Sequence, residues 1–373
     1  MDLSNTSQRN IKLSLLAAAV VFSLSACNGD DGADGVDGVN GADGQDGAPG
    51  QDGSPGFAAA TFLVANNGDS NRNTVSTVDQ NASVINTVST GANEGVALSQ
   101  SNTLFQAGDS DLPLIRSFCS FTGNSDFDAN FGHDITGAET GLVNPKGIVF
   151  AEEAGLVMAA DFNGQRISVF GGQAAGNVEP IAEIMTSARP WDLAFDEDAD
   201  RLFVALTDGT VAVYDDVTSS GFAPTVTRTI VPSDADGNQI SINLHGIVFE
   251  AMSNRLVVSD VGDASVADDG QLFVIENAAS ADGMVVPTRV VGGASTQLGN
   301  PVDIILSGSD LRVAEKSNDA ILVFSNIFTG ASGDVAPTLS TPSVKPESLV
   351  EFTDAMVKWD ASDDGITTMP ISG

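Results

Sequence analysis

Six segments of the chain open alike, and at one equivalent step of each stands a residue that could do chemistry: Glu94, Lys146, Trp191, His245, Val302 and Glu347. Two carboxylates, an ammonium, an imidazole and an indole form the mixed set with which a pocket orients a ligand. The same set offers Glu94, Glu347 and His245 to a metal ion. Equally, these can be turn residues that line a water-filled channel. A second series, Asn66, Asp161, Asp208, Asp260, Lys316 and Asp360, recurs one strand later. An aspartate in such a place commonly accepts hydrogen bonds from its own turn, and clustered carboxylates also suit calcium, which takes six to eight oxygens. The candidate ligand-binding residues are therefore Glu94, Lys146, Trp191, His245 and Glu347, and the candidate metal ligands Glu94, Asp161, Asp260 and Glu347.

The elements that must hold these residues repeat at about 45 to 55 residues. The openings are Glu94 to Leu98, Pro145 to Phe150, Pro190 to Phe195, Leu244 to Phe249, Pro301 to Leu306 and Pro346 to Val350. An apolar run ending near Asp follows in the best-preserved units, as in Leu156 to Asp161 and Leu256 to Asp260. A third run ends in an aromatic or apolar residue, as in Ile167 to Phe170, Val211 to Tyr214, Leu272 to Ile275 and Ile321 to Phe324. DFNGQ, TDGT and SNDA are hairpin turns between them. No stretch after residue 26 has a helical period. Apolar first runs with more mixed later ones predict four-stranded sheets with a fully buried inner strand and a partly solvated outer one. The fold class is all-β, a β-propeller, since radial repetition leaves only short sheet edges. Phe62 to Ala65, Thr74 to Val78 and Val84 to Val88 lack an inner strand of their own, and Leu349 marks an inner strand with weak followers around Val357 and Ile366. If the termini share a blade there are six blades, the preferred count; if they do not, seven.

Two further segments are set apart. Between Ser117 and Glu139, Phe118, Phe121, Phe127 and Phe131 stand among polar residues, with His133 and Asp134. They predict either a small satellite core or a partner surface or lid. The run Ser233 to Asn238 matches only part of a calcium loop and is read as a hairpin turn.

The units PKGIVFAEEAGLVMAADFNGQRISVFGG and NPVDIILSGSDLRVAEKSNDAILVFSN resemble NHL repeats, and residues 62–99 resemble the YVTN-type repeats of prokaryotic surface propellers. The donor types also resemble those with which paraoxonase-like and gluconolactonase-like six-bladed hydrolases hold a channel metal, without any longer matching motif.

Before the repeats lie two short regions. Arg9 and Lys12 precede an apolar run, Leu13 to Leu24, too short for a spanning helix of about 20 residues. With Leu24-Ser25-Ala26-Cys27 this resembles the signal peptide and lipobox of bacterial lipoproteins. The resemblance implies cleavage after residue 26, lipidation of Cys27, and more than one acyl chain as a stable membrane anchor. Asn28 in the next position then favours the outer membrane of the cell envelope, on its periplasmic or surface face. Glycine falls at every third position from Gly29 to Gly56. That period resembles bacterial collagen-like segments, in which only glycine fits the axis of a triple helix. Two prolines and several aspartates leave both an acidic spacer and a trimerising stalk open. Three regions result: 1–26, signal peptide; 27–56, lipidated cysteine and tether; 57–373, propeller.

Composition bounds the function. A net charge of −35 opposes nucleic acid and anionic lipid and attracts divalent cations. No nucleophile elbow, phosphate loop, zinc set or basic patch is present, and His133 and His245 are the two histidines. With Cys27 taken by lipid, Cys119 is expected to form no intrachain disulfide. The leading expectation is a lipid-anchored binding module for a protein, glycan or small ligand. The alternative is a calcium-dependent lactonase or esterase, the calcium polarising the ester carbonyl.

Overall fold

The computed structural model describes residues 62–68, 72–119, 121, 131–263, 265–266 and 268–351. The signal peptide, Cys27, the glycine tract, Phe127, Val357, Asp360 and Ile366 lie outside the described residues.

Six sheets, each built on four antiparallel strands, form six blades. The first blade joins both ends of the domain: Pro346–Glu351 is its inner strand, followed outward by Phe62–Asn66, Thr74–Val78 and Val84–Ser89. The termini thus share a blade, which settles the count at six. The other inner strands are Val96–Leu98, Pro145–Ala151, Pro190–Asp196, Leu244–Glu250 and Pro301–Ser307, for blades two to six. Among the described residues the helical elements are three short 3-10 turns.

Burial is arranged in wedges. Each of six apolar clusters draws on two neighbouring blades, as Met158, Ile167 and Leu193 of blades three and four meet Leu202, Val204 and Tyr214. The fully buried strands are therefore the second ones: Leu156–Asp161 is buried along its whole length. This corrects the expectation of a doubly buried inner strand. Pro145–Ala151 and Pro190–Asp196 are only half-buried over much of their length, because one face lines the channel. Outer strands alternate as expected, Val84–Ser89 being largely open to solvent.

The aromatic insertion resolves into structure the repeat pattern did not separate. Phe131–Thr136 is the outer strand of blade two, and Phe118 and Phe121 are buried in the wedge between blades one and two. Asp234 is the core of a hairpin turn, as expected, its carboxylate accepting from the Asp236 and Asn238 amides. Cys119 is disulfide-bonded, contrary to the expectation of none. Outer edges are also tied across blades: Arg228–Pro232 of blade four takes Gly283–Val285 as a fifth, parallel strand, and single bridges join Ile135 to Gly176 and Val291 to Gly333.

Inner strands approach closely around the axis. One step beyond Glu94, Lys146, Trp191, His245, Val302 and Glu347 come Gly95, Gly147, Asp192, Gly246, Asp303 and Ser348. A Cβ on Gly147 would fall 2.1 Å from Asp192 Oδ1 and 2.7 Å from its Cα, and one on Gly246 2.9 Å from Asp303 Cα. Glycine here is a requirement of space rather than of backbone angle. Hydrogen bonds then stitch blade to blade. Asp192 accepts the Ile247 amide at 3.3 Å, Asp303 accepts both Ser348 Oγ and the Leu349 amide at 2.7 Å, and Ser348 Oγ accepts the Val96 amide at 3.1 Å. The last three bonds run through blades six, one and two, across the joint where the ends of the domain meet.

Candidate functional site

The starts of the inner strands bring Glu94, Lys146, Trp191, Val302 and Glu347 around one mouth of the channel, above Asp192 and Asp303. His245 closes the ring against Trp191, the two rings stacked at 3.5 Å between centroids and 7° between planes. Phe162 meets the indole edge-on at 5.5 Å, and Lys146 Nζ stands 5.1 Å from its centroid, within cation–π range. The expected convergence of these residues is present. The cavity beneath them holds about 10 Å³, room for about one water.

Charge at the mouth is organised in pairs. Lys146 Nζ donates to Glu94 at 2.6 Å, and Lys316 Nζ donates to Glu347. Both glutamates are buried, Glu94 to 2% exposure. Asn67 and Asn93 extend this network, Asn93 Nδ2 donating to Asn67 Oδ1 at 3.0 Å. Burial, and then the charge of Glu347 facing it, push the Glu94 carboxyl up to about 8 despite Lys146. Burial opposes the charge on Lys316, but Glu347 beside it holds the ammonium above its ordinary value. Burial, reinforced by Lys146 and Lys316, drives His245 well below the usual imidazole range, so the ring is neutral. Its Nδ1 is buried without a hydrogen-bond partner.

The candidate metal set does not come together. Asp161 accepts the Val143 and Asn144 amides, and Asp260 accepts those of Ile242 and Asn243. Each carboxylate thus fastens the loop that enters its blade's inner strand, the turn role the sequence also allowed. Glu94 and Glu347 are taken by lysines. Among the described residues no group of three or more His, Cys, Asp or Glu has the geometry to hold a metal. The donors do not fit calcium, which needs several free oxygens together.

The second series also needs a corrected alignment. Strand pairing sets Pro145 opposite Asp161, Leu244 opposite Asp260, Pro301 opposite Glu315, Pro346 opposite Asn66 and Pro190 opposite Leu206. Glu315 rather than Lys316 therefore occupies the loop-fastening position, accepting the Gly299 and Asn300 amides. Lys316, one residue on, is freed to reach the mouth. Asp208 caps its own hairpin through Thr210.

Sequence reasoning missed Lys316, Asp192 and Asp303 as channel residues. The signal for the two aspartates lies in the repeats, where PWDL and PVDI carry Asp at a step that is glycine in PKGI and LHGI.

No family model matches the sequence, and no curated protein resembles it closely enough to count. Solved structures do. A putative 6-phosphogluconolactonase from Bacteroides fragilis is 13% identical with a TM-score of 0.53, covering 81% of this chain and 100% of that one. The periplasmic gluconolactonase of Pseudomonas aeruginosa is 15% identical with a TM-score of 0.53, covering 79% and 99%. A chain of a nidogen–laminin complex is 13% identical with a TM-score of 0.54, covering 78% and 97%. The likeness is one of fold. It extends to gluconolactonases and to a chain of a nidogen–laminin complex alike, so function must be argued from the site.

Proposed function

We propose that this chain is a lipid-anchored envelope propeller that binds a small polar ligand, or the polar end of a glycan or protein, at the channel mouth without a metal ion. The observation that carries this reading is the pairing of Lys146 with Glu94 and of Lys316 with Glu347. Two ammonium groups stand where a hydrolase would need free carboxylate oxygens for its ion. The mouth instead presents donors and acceptors beside an indole, together with the unsatisfied Nδ1 of His245, a composition suited to hydroxyl and carboxylate groups. The Leu24-Ser25-Ala26-Cys27 motif supports attachment through Cys27, and the glycine tract supports a tether, single or trimeric, carrying NHL- and YVTN-like blades clear of the outer membrane.

The binding reading is tested with gluconate, titrated while Trp191 fluorescence is followed in a Trp359→Phe background. The expected result is a saturable change that is unaffected by a calcium chelator and lost in Lys146→Ala. No saturable change in the parent protein would overturn it. The anchor is tested by peptide mass mapping of detergent-extracted protein. The structure is of the unprocessed chain, in which Cys119 is disulfide-bonded; because the chain has two cysteines, the anchor reading requires that bond to be absent from the processed protein. Acylated Cys27 is expected, and a Cys27–Cys119 disulfide in the extracted protein would overturn it.

The alternative reading, a calcium-dependent lactonase or esterase, has one observation in its favour, the likeness of fold to gluconolactonases. It requires turnover of glucono-δ-lactone above the uncatalysed rate, abolished by the chelator.

A further inference from the structure

The other end of the channel is built differently. The lower halves of the inner strands splay into a cavity of about 260 Å³ whose walls include Leu193, Phe195, Ile247, Phe249, Ile304 and Leu349 and whose floor is Asp192, Asp303 and Ser348. Its rim adjoins a second cavity of about 490 Å³ that shares Phe195 and Phe249 and is bordered by Glu152, Glu153, Asp196, Glu197 and Asp198. The hairpins joining inner to second strands at this end, residues 99–103, 152–155, 197–200, 251–254 and 308–309, contain no lysine, arginine or histidine. An apolar funnel thus opens beside a cluster of negative charge on the hairpins of blades three and four and narrows onto two carboxyl groups.

Those two groups have no cation of their own. Asp192 and Asp303 are linked to neighbouring strands by amide and hydroxyl donors, and the charges that act on them are each other and Glu347. Burial, opposed by the Leu349, Ser348 and Ile304 donors, raises Asp303 to about 6. Burial and the charge of Asp303 raise Asp192 well above the ordinary aspartate value. Two carboxyls this close hold a proton between them unless a cation replaces it. At the opposite mouth the protein supplies that cation from Lys146 and Lys316; here the funnel leaves the position open to a visitor.

We propose that the funnel binds a primary alkylammonium ion, its ammonium against Asp192 and Asp303 and its alkyl chain along Leu193, Ile247, Ile304 and Leu349. Charge and surface both select this class. An ammonium brings three donors on a compact centre, whereas two carboxylates and one hydroxyl in an apolar surround offer too few oxygens for calcium. The walls reward a hydrocarbon chain by removing it from water. The acidic rim concentrates cations at the entrance and turns anions away.

The test is calorimetric titration of the full chain with hexylammonium and, separately, with hexanol, which shares the chain without the charge. Hexylammonium is expected to bind roughly tenfold tighter or more, the worth of a charge-assisted hydrogen bond. Asp192→Asn keeps the acceptor for the Ile247 amide and removes the charge, and it is expected to bring hexylammonium down to the affinity of hexanol. Equal affinities for the two probes in the unaltered protein would overturn the proposal without recourse to any variant. So would an Asp192→Asn protein that melts normally and keeps the preference for hexylammonium.

Discussion

The two ends of the channel solve one problem in opposite ways. Each brings two carboxyl groups close together near the axis. At the upper mouth Lys146 and Lys316 donate to Glu94 and Glu347 above a cavity of about 10 Å³. At the lower end Asp192 and Asp303 are held by hydrogen-bond donors without a cation, beneath an open apolar funnel. The difference shows that a carboxylate near a propeller axis need not announce a metal. What surrounds it decides whether it is structural, ion-paired or available.

This contrast can be broken most severely at the lower end. Asp303→Ala leaves Ser348 Oγ and the Leu349 amide without their acceptor at the joint between blades six and one. A stability loss of about 3 kcal/mol is expected in urea unfolding, given roughly 1–3 kcal/mol per orphaned buried donor. Next in size is Gly147→Ala, whose Cβ meets the Asp192 backbone and carboxylate; overpacking at the axis is expected to cost about 2 kcal/mol, read in the same assay. Glu197→Ala at the acidic rim removes an acceptor for the exposed or part-buried amides of Glu152, Glu153 and Ala154. These can turn to water, so a loss of about 1 kcal/mol or less is expected. An effect of a different kind, on the pH profile, sharpens the upper end. Glu94 titrates at about 8 in the fold against an ordinary 4.5, so the folded state binds the extra proton between those values and stability falls as pH rises through that window. Glu94→Gln, neutral throughout, is expected to flatten the dependence of melting temperature on pH from about 4.5 to 8.

Much of this architecture was legible in the sequence because the repeats carry it. The start of each inner strand announces itself by a turn residue before an apolar run, so Glu94, Lys146, Trp191, His245 and Glu347 could be placed on one ring. The shared terminal blade followed from Phe62 to Val88 lacking an inner strand and Leu349 supplying one. What the pattern could not supply was direction and pairing. Lys316 was aligned with Asp161 because both end a second strand, whereas the pairing of Pro301 with Glu315 shifts the register by one and sends the lysine to Glu347. A one-residue shift of that kind reverses which way a side chain faces. Burial is hidden in the sequence for a related reason: inner strands are as apolar as core strands, yet their apolar residues wall a funnel, so composition alone does not separate them from the second strands inside the wedges.

The claim that most needs a direct test is that lysines, not a metal, complete the upper mouth. Anomalous diffraction from crystals grown with calcium chloride addresses it. Lys146 Nζ is expected on Glu94 and Lys316 Nζ on Glu347, with no anomalous peak between the two glutamates. A calcium ion bound by Glu94 and Glu347, with both lysines turned away, would contradict it.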